Sequence, residues 1–134
     1  MDQPFEDFSS EVSWFHDSPF FHLSWDLLSI LTQEGYVKHV NSAWNTTLGW
    51  TPDELLGQSW LERVHPDDRT QTLAALNQLT HLDPASVTFE HRFQHQNGRY
   101  CWLSWRVAIA PDQHLYAAAK DITVQKINAQ LSNK

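Results

Sequence analysis

The chain has one cysteine, four glycines and no run of lysine or arginine, and each scarcity removes a class of function. A single thiol, Cys101, leaves no internal disulfide framework and no multi-cysteine zinc site, and it suits a reducing compartment. So few glycines supply no phosphate-cradling loop, and neither a nucleophile elbow nor a kinase signature occurs. Nine Lys and Arg against sixteen Asp and Glu give a formal charge of −7, which lacks the electrostatic footprint of nucleic-acid binding and disfavours anionic membranes. No apolar stretch approaches bilayer-spanning length, so direct membrane insertion is not expected. Residues 1–10, with Asp2, Glu6 and Asp7, do not read as a signal peptide, and a cytoplasmic location is expected.

What is present is apolar surface, much of it in rings. With 134 residues, 41% of them hydrophobic, the chain suits one domain with a core of its own, and seven Trp with seven Phe make stiff aromatic side chains the main building material of that core.

Phe5, Phe8, Val12 and Phe15 are spaced three, four and three apart, one stripe of an amphipathic helix that Asp17-Ser18-Pro19 should break. Residues 20–31 are apolar-rich and lead through Gln33-Glu34-Gly35 into a β-prone stretch at 36–40, which reads as a hairpin. A short helix over 42–48 should stop at Gly49, and another should open with Thr51, Pro52 and a capping-box Glu54 before ending at Gly57. A longer amphipathic helix is expected from His65-Pro66-Asp67-Asp68 through Leu73, Leu76 and Leu79. From Val87 the period becomes two, with Phe89, His91 and Phe93 on one face and Glu90, Arg92 and Gln94 on the other. Asn97-Gly98 predicts a two-residue type I′ turn into a strand over 99–110, and Pro111-Asp112-Gln113 a second turn into a strand over 115–121. Thr123 is expected to cap a last helix over 124–131, too short to be stable alone.

That order of elements resembles the PAS fold, and the residue strings make the likeness specific. Asp26-Leu27-Leu28, Gly35-Tyr36-Val37 followed by Val40-Asn41, the run from Leu48-Gly49-Trp50 through Leu55-Leu56-Gly57, and Val64-His65-Pro66-Asp67-Asp68 look like the family's first half. Phe89-Glu90-His91-Arg92, Asn97-Gly98, Trp102-Leu103-Ser104-Trp105 and Asp121-Ile122-Thr123 resemble its second half in the bacterial-signalling subgroup. The resemblance implies an α+β domain over residues 20–123, a five-stranded antiparallel sheet with short helices on one face. An N-terminal cap helix over 1–19 and the start of an outgoing signalling helix over 124–134 would flank it.

The resemblance also places Phe89, His91, Phe93, Leu103, Trp105, Val107, Leu115, Ala117 and Ala119 on the sheet face toward the helices, and strand alternation alone groups the same residues. With Trp44 and Leu48 opposite, they would either enclose a small-molecule pocket or simply fill a core, and both alternatives stand at this point. The opposite face would carry Trp102, Ser104, Arg106, Tyr116 and Lys120, an aromatic patch whose natural cover is the stripe Phe5, Phe8, Val12 and Phe15 of the same chain or of a second copy. A homodimer is expected on that ground. Asp121, Ile122 and Thr123 resemble the junction that passes a change in the sheet to the outgoing helix, with Thr123 as cap and Asp121 as tether.

No cofactor is expected. Light-sensing relatives use a cysteine on the middle helix, whereas Cys101 falls on the strand after Asn97-Gly98, so a flavin adduct is improbable. Nor is haem expected: its two positional candidates, His65 and His81, suit a helix start and a helix end. His91 and His95 lie four apart on a strand, about 13 Å, too far to chelate one metal ion. Acid pairs Asp53-Glu54 and Asp67-Asp68 stand at helix starts, where carboxylates stabilise exposed N–H groups, and no catalytic machinery is visible. The reading is therefore a non-enzymatic sensory module of a bacterial signalling protein, such as a sensor histidine kinase or diguanylate cyclase, feeding an output domain in the same chain. Its rival is an interaction module with a filled core and no ligand.

Overall fold

The computed structural model of the chain describes residues 18–80 and 86–132. The stripe Phe5, Phe8, Val12 and Phe15, and His81, lie outside the described residues. Five strands form one antiparallel sheet: β1 (Leu27–Leu31), β2 (Val37–Val40), β3 (Ser86–Gln94), β4 (Tyr100–Ile109) and β5 (Leu115–Asp121), in the spatial order β2-β1-β5-β4-β3. The chain thus begins and ends its sheet work at the centre, where β1 pairs with β5.

One helix precedes β1, and those of the crossover from β2 to β3 cover one face of the sheet. The helices are α1 (Pro19–Leu23), α2 (Ala43–Leu48), α3 (Pro52–Leu55) and α4 (Arg69–Asn77), with 3-10 turns at Trp60–Arg63, Pro66–Asp68 and Gln78–Thr80; α5 (Thr123–Ser132) leaves the sheet at the end of β5. Gly49 stops α2 in the left-handed region at φ +82°, and a Cβ there would stand 2.9 Å from the Cβ of Gln96, so the position demands glycine twice over. Thr51 and Glu54 form the expected capping box on α3.

Four local expectations change. Pro19 occupies the first turn of α1, whose Ser18 side chain accepts from the Phe20 N–H, so only 27–31 of the apolar 20–31 stretch is strand. The helix expected from His65 to Leu79 is a 3-10 turn, α4 and a second 3-10 turn; of the expected leucines Leu79 is buried and Leu73 half exposed, and the residue that α4 itself buries is Thr72. Its threefold leucine spacing drifts off a 3.6-residue face. Asn97-Gly98 is not a type I′ turn: only Gly98 has positive φ, and the loop closes through His95 N to Arg99 O and Gly98 N to His95 O. Thr123 begins α5 but does not cap it; the Asp121 carboxylate accepts from Thr123 N instead.

Asp68 fastens the helical half to the sheet. Buried between α4 and β3, its carboxylate accepts from the Arg92 backbone N–H at 2.8 Å, from Nε at 2.9 Å and from Nη2 at 2.7 Å. These hydrogen bonds from Arg92 hold its pKa at about 2, below the usual 3.8. The ionised form is therefore favoured by folding, and the stabilisation is present above pH 4 and lost as pH falls toward 2. Replacing Asp68 with Asn should cost about 2 kcal/mol in urea unfolding at pH 7, and that difference should shrink as both proteins are taken toward pH 2.

Candidate functional site

The inward face of β3, β4 and β5 meets α2 and the Trp60–Arg63 turn in an aromatic cluster. Val87, His91, Phe93, Leu103, Trp105, Val107, Leu115, Ala117 and Ala119 are buried there together with Trp44 and Leu48, while Phe89 is half-buried against them. The sequence grouping thus becomes one contiguous surface. It missed Trp60, whose position at the centre of the cluster has no periodic signal because it sits in an isolated 3-10 turn. The Trp60 ring lies edge-on to Trp105 at 5.1 Å and tilted to His91 at 5.4 Å. Trp44 packs edge-on to Phe93 at 5.6 Å.

These rings leave little room. The space between Trp44, Trp60 and Phe93, bounded by Ser29, Leu55 and Val37, is about 10 Å³, the volume of at most one water. A wider recess of about 170 Å³ opens on the other side of Trp60, between the Gln33–Gly35 turn, Leu73 and Leu76 of α4, and Ile109.

The core is nevertheless studded with polar ring nitrogens. His91 is wholly buried, and its Nδ1 shares a 3.0 Å hydrogen bond with the Thr72 hydroxyl. Its Nε2, the Nε1 atoms of Trp60 and Trp105, and the Ser29 hydroxyl are buried without a protein partner among the described residues. Trp44, by contrast, donates to the Leu28 carbonyl. Burial drives the His91 pKa down to about 4, with Asp68 opposing the shift. Burial likewise raises the Cys101 thiol, which keeps it protonated.

The outward face carries Trp102, Ser104, Arg106 and Ala108 on β4 and Tyr116, Ala118 and Lys120 on β5. Trp102 is already engaged: the Lys126 ammonium of α5 stands 4.7 Å from its ring centroid, the Arg92 guanidinium 5.5 Å. Tyr116 donates its hydroxyl to Asp112. At the junction, Trp102 N donates to the Thr123 hydroxyl at 2.9 Å, that hydroxyl donates to Asp121 at 2.6 Å, and Ile122 N donates to the Trp102 carbonyl at 2.8 Å. Both peptide groups of one residue on β4 therefore hold the start of α5.

His65 Nδ1 accepts from the Asp67 N–H and orders its own turn. No group of three or more His, Cys, Asp or Glu side chains able to hold a metal ion occurs among the described residues. Nor is any described helix long and apolar enough to cross a membrane.

A single antiparallel sheet with helices on one face and an outgoing helix tied to its central strands defines the α+β architecture of small sensory domains. Residues 37–115 match the family model described as the PAS fold, and the chain belongs to that family. PAS domains are generally sensory modules rather than catalysts, and they commonly dimerise within multidomain chains. No curated protein matches the chain. Among solved structures it is similar to a domain of a sensory box sensor histidine kinase/response regulator from Geobacter sulfurreducens, at 20% identity and TM-score 0.66 over 90% of this chain and 98% of that one. It is also similar to a PAS domain from Colwellia psychrerythraea, at 16% identity and TM-score 0.69 over 87% and 97%. A third is the Drosophila melanogaster Cycle PAS-B domain with bound ethylene glycol, at 23% identity and TM-score 0.61 over 71% and 96%.

His91 gives the core a pH signature. Its folded pKa lies below the free value of 6.5, so the neutral form is favoured by folding and stability is lost as pH falls from 6.5 through about 4. Urea unfolding at pH 5 should show about 2 kcal/mol less stability than at pH 7.5, after the remaining titration is subtracted with a His91→Phe variant that lacks this loss.

Proposed function

We propose that this PAS domain is the sensory or regulatory module of a cytoplasmic bacterial signalling protein, a sensor histidine kinase or diguanylate cyclase, and that it is not itself an enzyme. It transmits a change in its sheet through Asp121, Ile122 and Thr123 to an output domain further along the same chain. The observation that carries this reading is the double attachment of the junction to Trp102, which couples the start of α5 to β4 through Thr123 Oγ1 and Ile122 N. A homodimer fits the other side of α5, where Val124, Ile127 and Leu131 are exposed at spacings of three and four, the seam of a paired helix.

The near-absence of space around Trp44 and Phe93 favours transmission driven by partners at the surface over a bulky ligand inside. One observation supports a second reading: the nitrogens of Trp60, Trp105 and His91 that lack a partner among the described residues would suit a very small hydrogen-bonding molecule, and the similar Cycle domain has ethylene glycol bound.

Thr123→Val keeps the side-chain shape and removes the hydroxyl that binds Trp102. Amide hydrogen exchange over residues 124–130 should then accelerate about fivefold, the effect of a lost ~1 kcal/mol contact, while β4 and β5 stay protected. Unchanged exchange in α5 would remove this junction from the path. For the second reading, native mass spectrometry of the purified domain with ethylene glycol should show a retained adduct, and Trp105→Phe, which removes one of those nitrogens, should weaken it.

A further inference from the structure

The two voids beside the aromatic cluster share a wall, and the ring in that wall is Trp60. It borders the inner space of about 10 Å³ on one side and the recess of about 170 Å³ on the other, and no other aromatic side chain among the described residues lines both. Its backbone is fixed from outside: Trp60 N donates to the Gly35 carbonyl at 2.9 Å, and the neighbouring Ser59 bridges to Tyr36. The side chain is held only by contact. Its Nε1 has no partner among the described residues, and the rings of Phe89, His91, Phe93 and Trp105 surround it with centroids between 5.1 and 6.5 Å away.

An indole N–H buried without an acceptor works against this closed position. The recess offers what the core withholds. Leu61, Leu76 and Ile109 give it apolar walls, and its rim of Gln33, Glu34 and the half-exposed Leu73 meets water. Turning the indole into it keeps the ring on apolar surface and brings Nε1 toward solvent, with the backbone still tied to Gly35.

What the indole vacates is a slot of its own shape among Phe89, His91, Phe93 and Trp105. Two nitrogens that lack partners among the described residues remain there, His91 Nε2 and Trp105 Nε1. The indole of Trp105 only donates, while the imidazole, kept neutral around physiological pH by burial, donates or accepts at Nε2 as its tautomer directs. Asp68, the one charge that acts on His91, is already paired with Arg92. The slot therefore suits a molecule without charge.

We infer that Trp60 is a displaceable plug: the filled core is the closed state of a slot that takes a flat, uncharged, indole-sized heteroaromatic molecule bearing a hydrogen-bond acceptor, with Trp60 turned out into the recess while it is bound. The plug rests on the second reading above, in which the interior nitrogens answer to a small molecule, and adds how a core without space admits one and which shape it admits. Occupancy thereby changes the surface between the Gln33–Gly35 turn and α4, where the turned-out ring fills the recess.

The test uses indazole, a neutral ring of indole's shape with an acceptor nitrogen, against indene, which has no nitrogen. In fluorotryptophan-labelled protein the Trp60 fluorine resonance, identified by its loss in Trp60→Phe, should move on adding indazole and become sensitive to exchange of light for heavy water. Indene should bind at least about tenfold more weakly. Leu73→Trp fills the recess from the exposed side of α4 and should weaken indazole at least about tenfold in calorimetry, whereas Leu73→Trp/Trp60→Ala, with no plug to move, should bind as Trp60→Ala does. A Trp60 resonance that stays in place while indazole binds overturns the plug, as do unchanged affinity in Leu73→Trp and failure of the unmutated chain to bind. None of these three outcomes needs Trp60→Ala to fold. Weakening that persists in the double variant also overturns the plug, and indene bound as tightly as indazole overturns the ligand class. Ethylene glycol needs no indole-sized slot, so its retention beside any of these failures leaves the second reading standing and removes the plug alone.

Discussion

A buried carboxylate, that of Asp68, makes the charged tie between the two halves of this domain. The sheet is built from strands near both ends of the chain, and the segment between β2 and β3 consists of short helices and turns that have little stability of their own. Asp68 is where the end of that segment nearest β3 is fastened. Three donors from Arg92 converge on it, and the neighbouring His65 N–H reaches the Arg92 carbonyl in return. Thr72 follows one helical turn later and is thereby brought against His91, so the arrangement of the core rings depends on an ion pair near its rim.

The core that results is filled by rings rather than by aliphatic chains. Trp44, Trp60, Phe93 and Trp105 meet mostly edge-on or tilted, arrangements favoured by aromatic quadrupoles, and they close the interior almost completely. Polar nitrogens have been admitted to this interior without protein partners among the described residues, which is costly unless something small answers them. That tension between dense packing and unanswered polarity is what distinguishes the interior from an inert core.

The strands were readable because alternation needs only local sequence: Phe89, His91 and Phe93 on one side of β3 and Leu103, Trp105 and Val107 on β4 follow from period two alone. The helical half was less legible. Trp60 belongs to a four-residue turn with no period to detect, and Thr72 is buried by its partner His91 rather than by hydrophobicity. Asp121 and Thr123 exchanged their expected roles because the Thr123 hydroxyl accepts from Trp102 N on β4 and donates to Asp121, leaving the Asp121 carboxylate to accept from Thr123 N. Turn chemistry misled at Asn97-Gly98, where Asn97 uses its side chain to accept from Arg99 N and keeps negative φ.

The attachment of α5 to Trp102 has a mechanical consequence. Two hydrogen bonds to one residue fix a pivot, and none of the side chains of the ten-residue helix beyond it is buried, so the helix is a lever with a single bearing. At about 15 Å in length, a tilt of about 10° at the bearing carries its far end by about 2.6 Å, while the strand moves by a fraction of that. Lys126, bridging to Glu90 at 2.7 Å and resting over the Trp102 ring, acts as a light detent: strong enough to set a resting angle, and weak enough, at the surface, to be overcome.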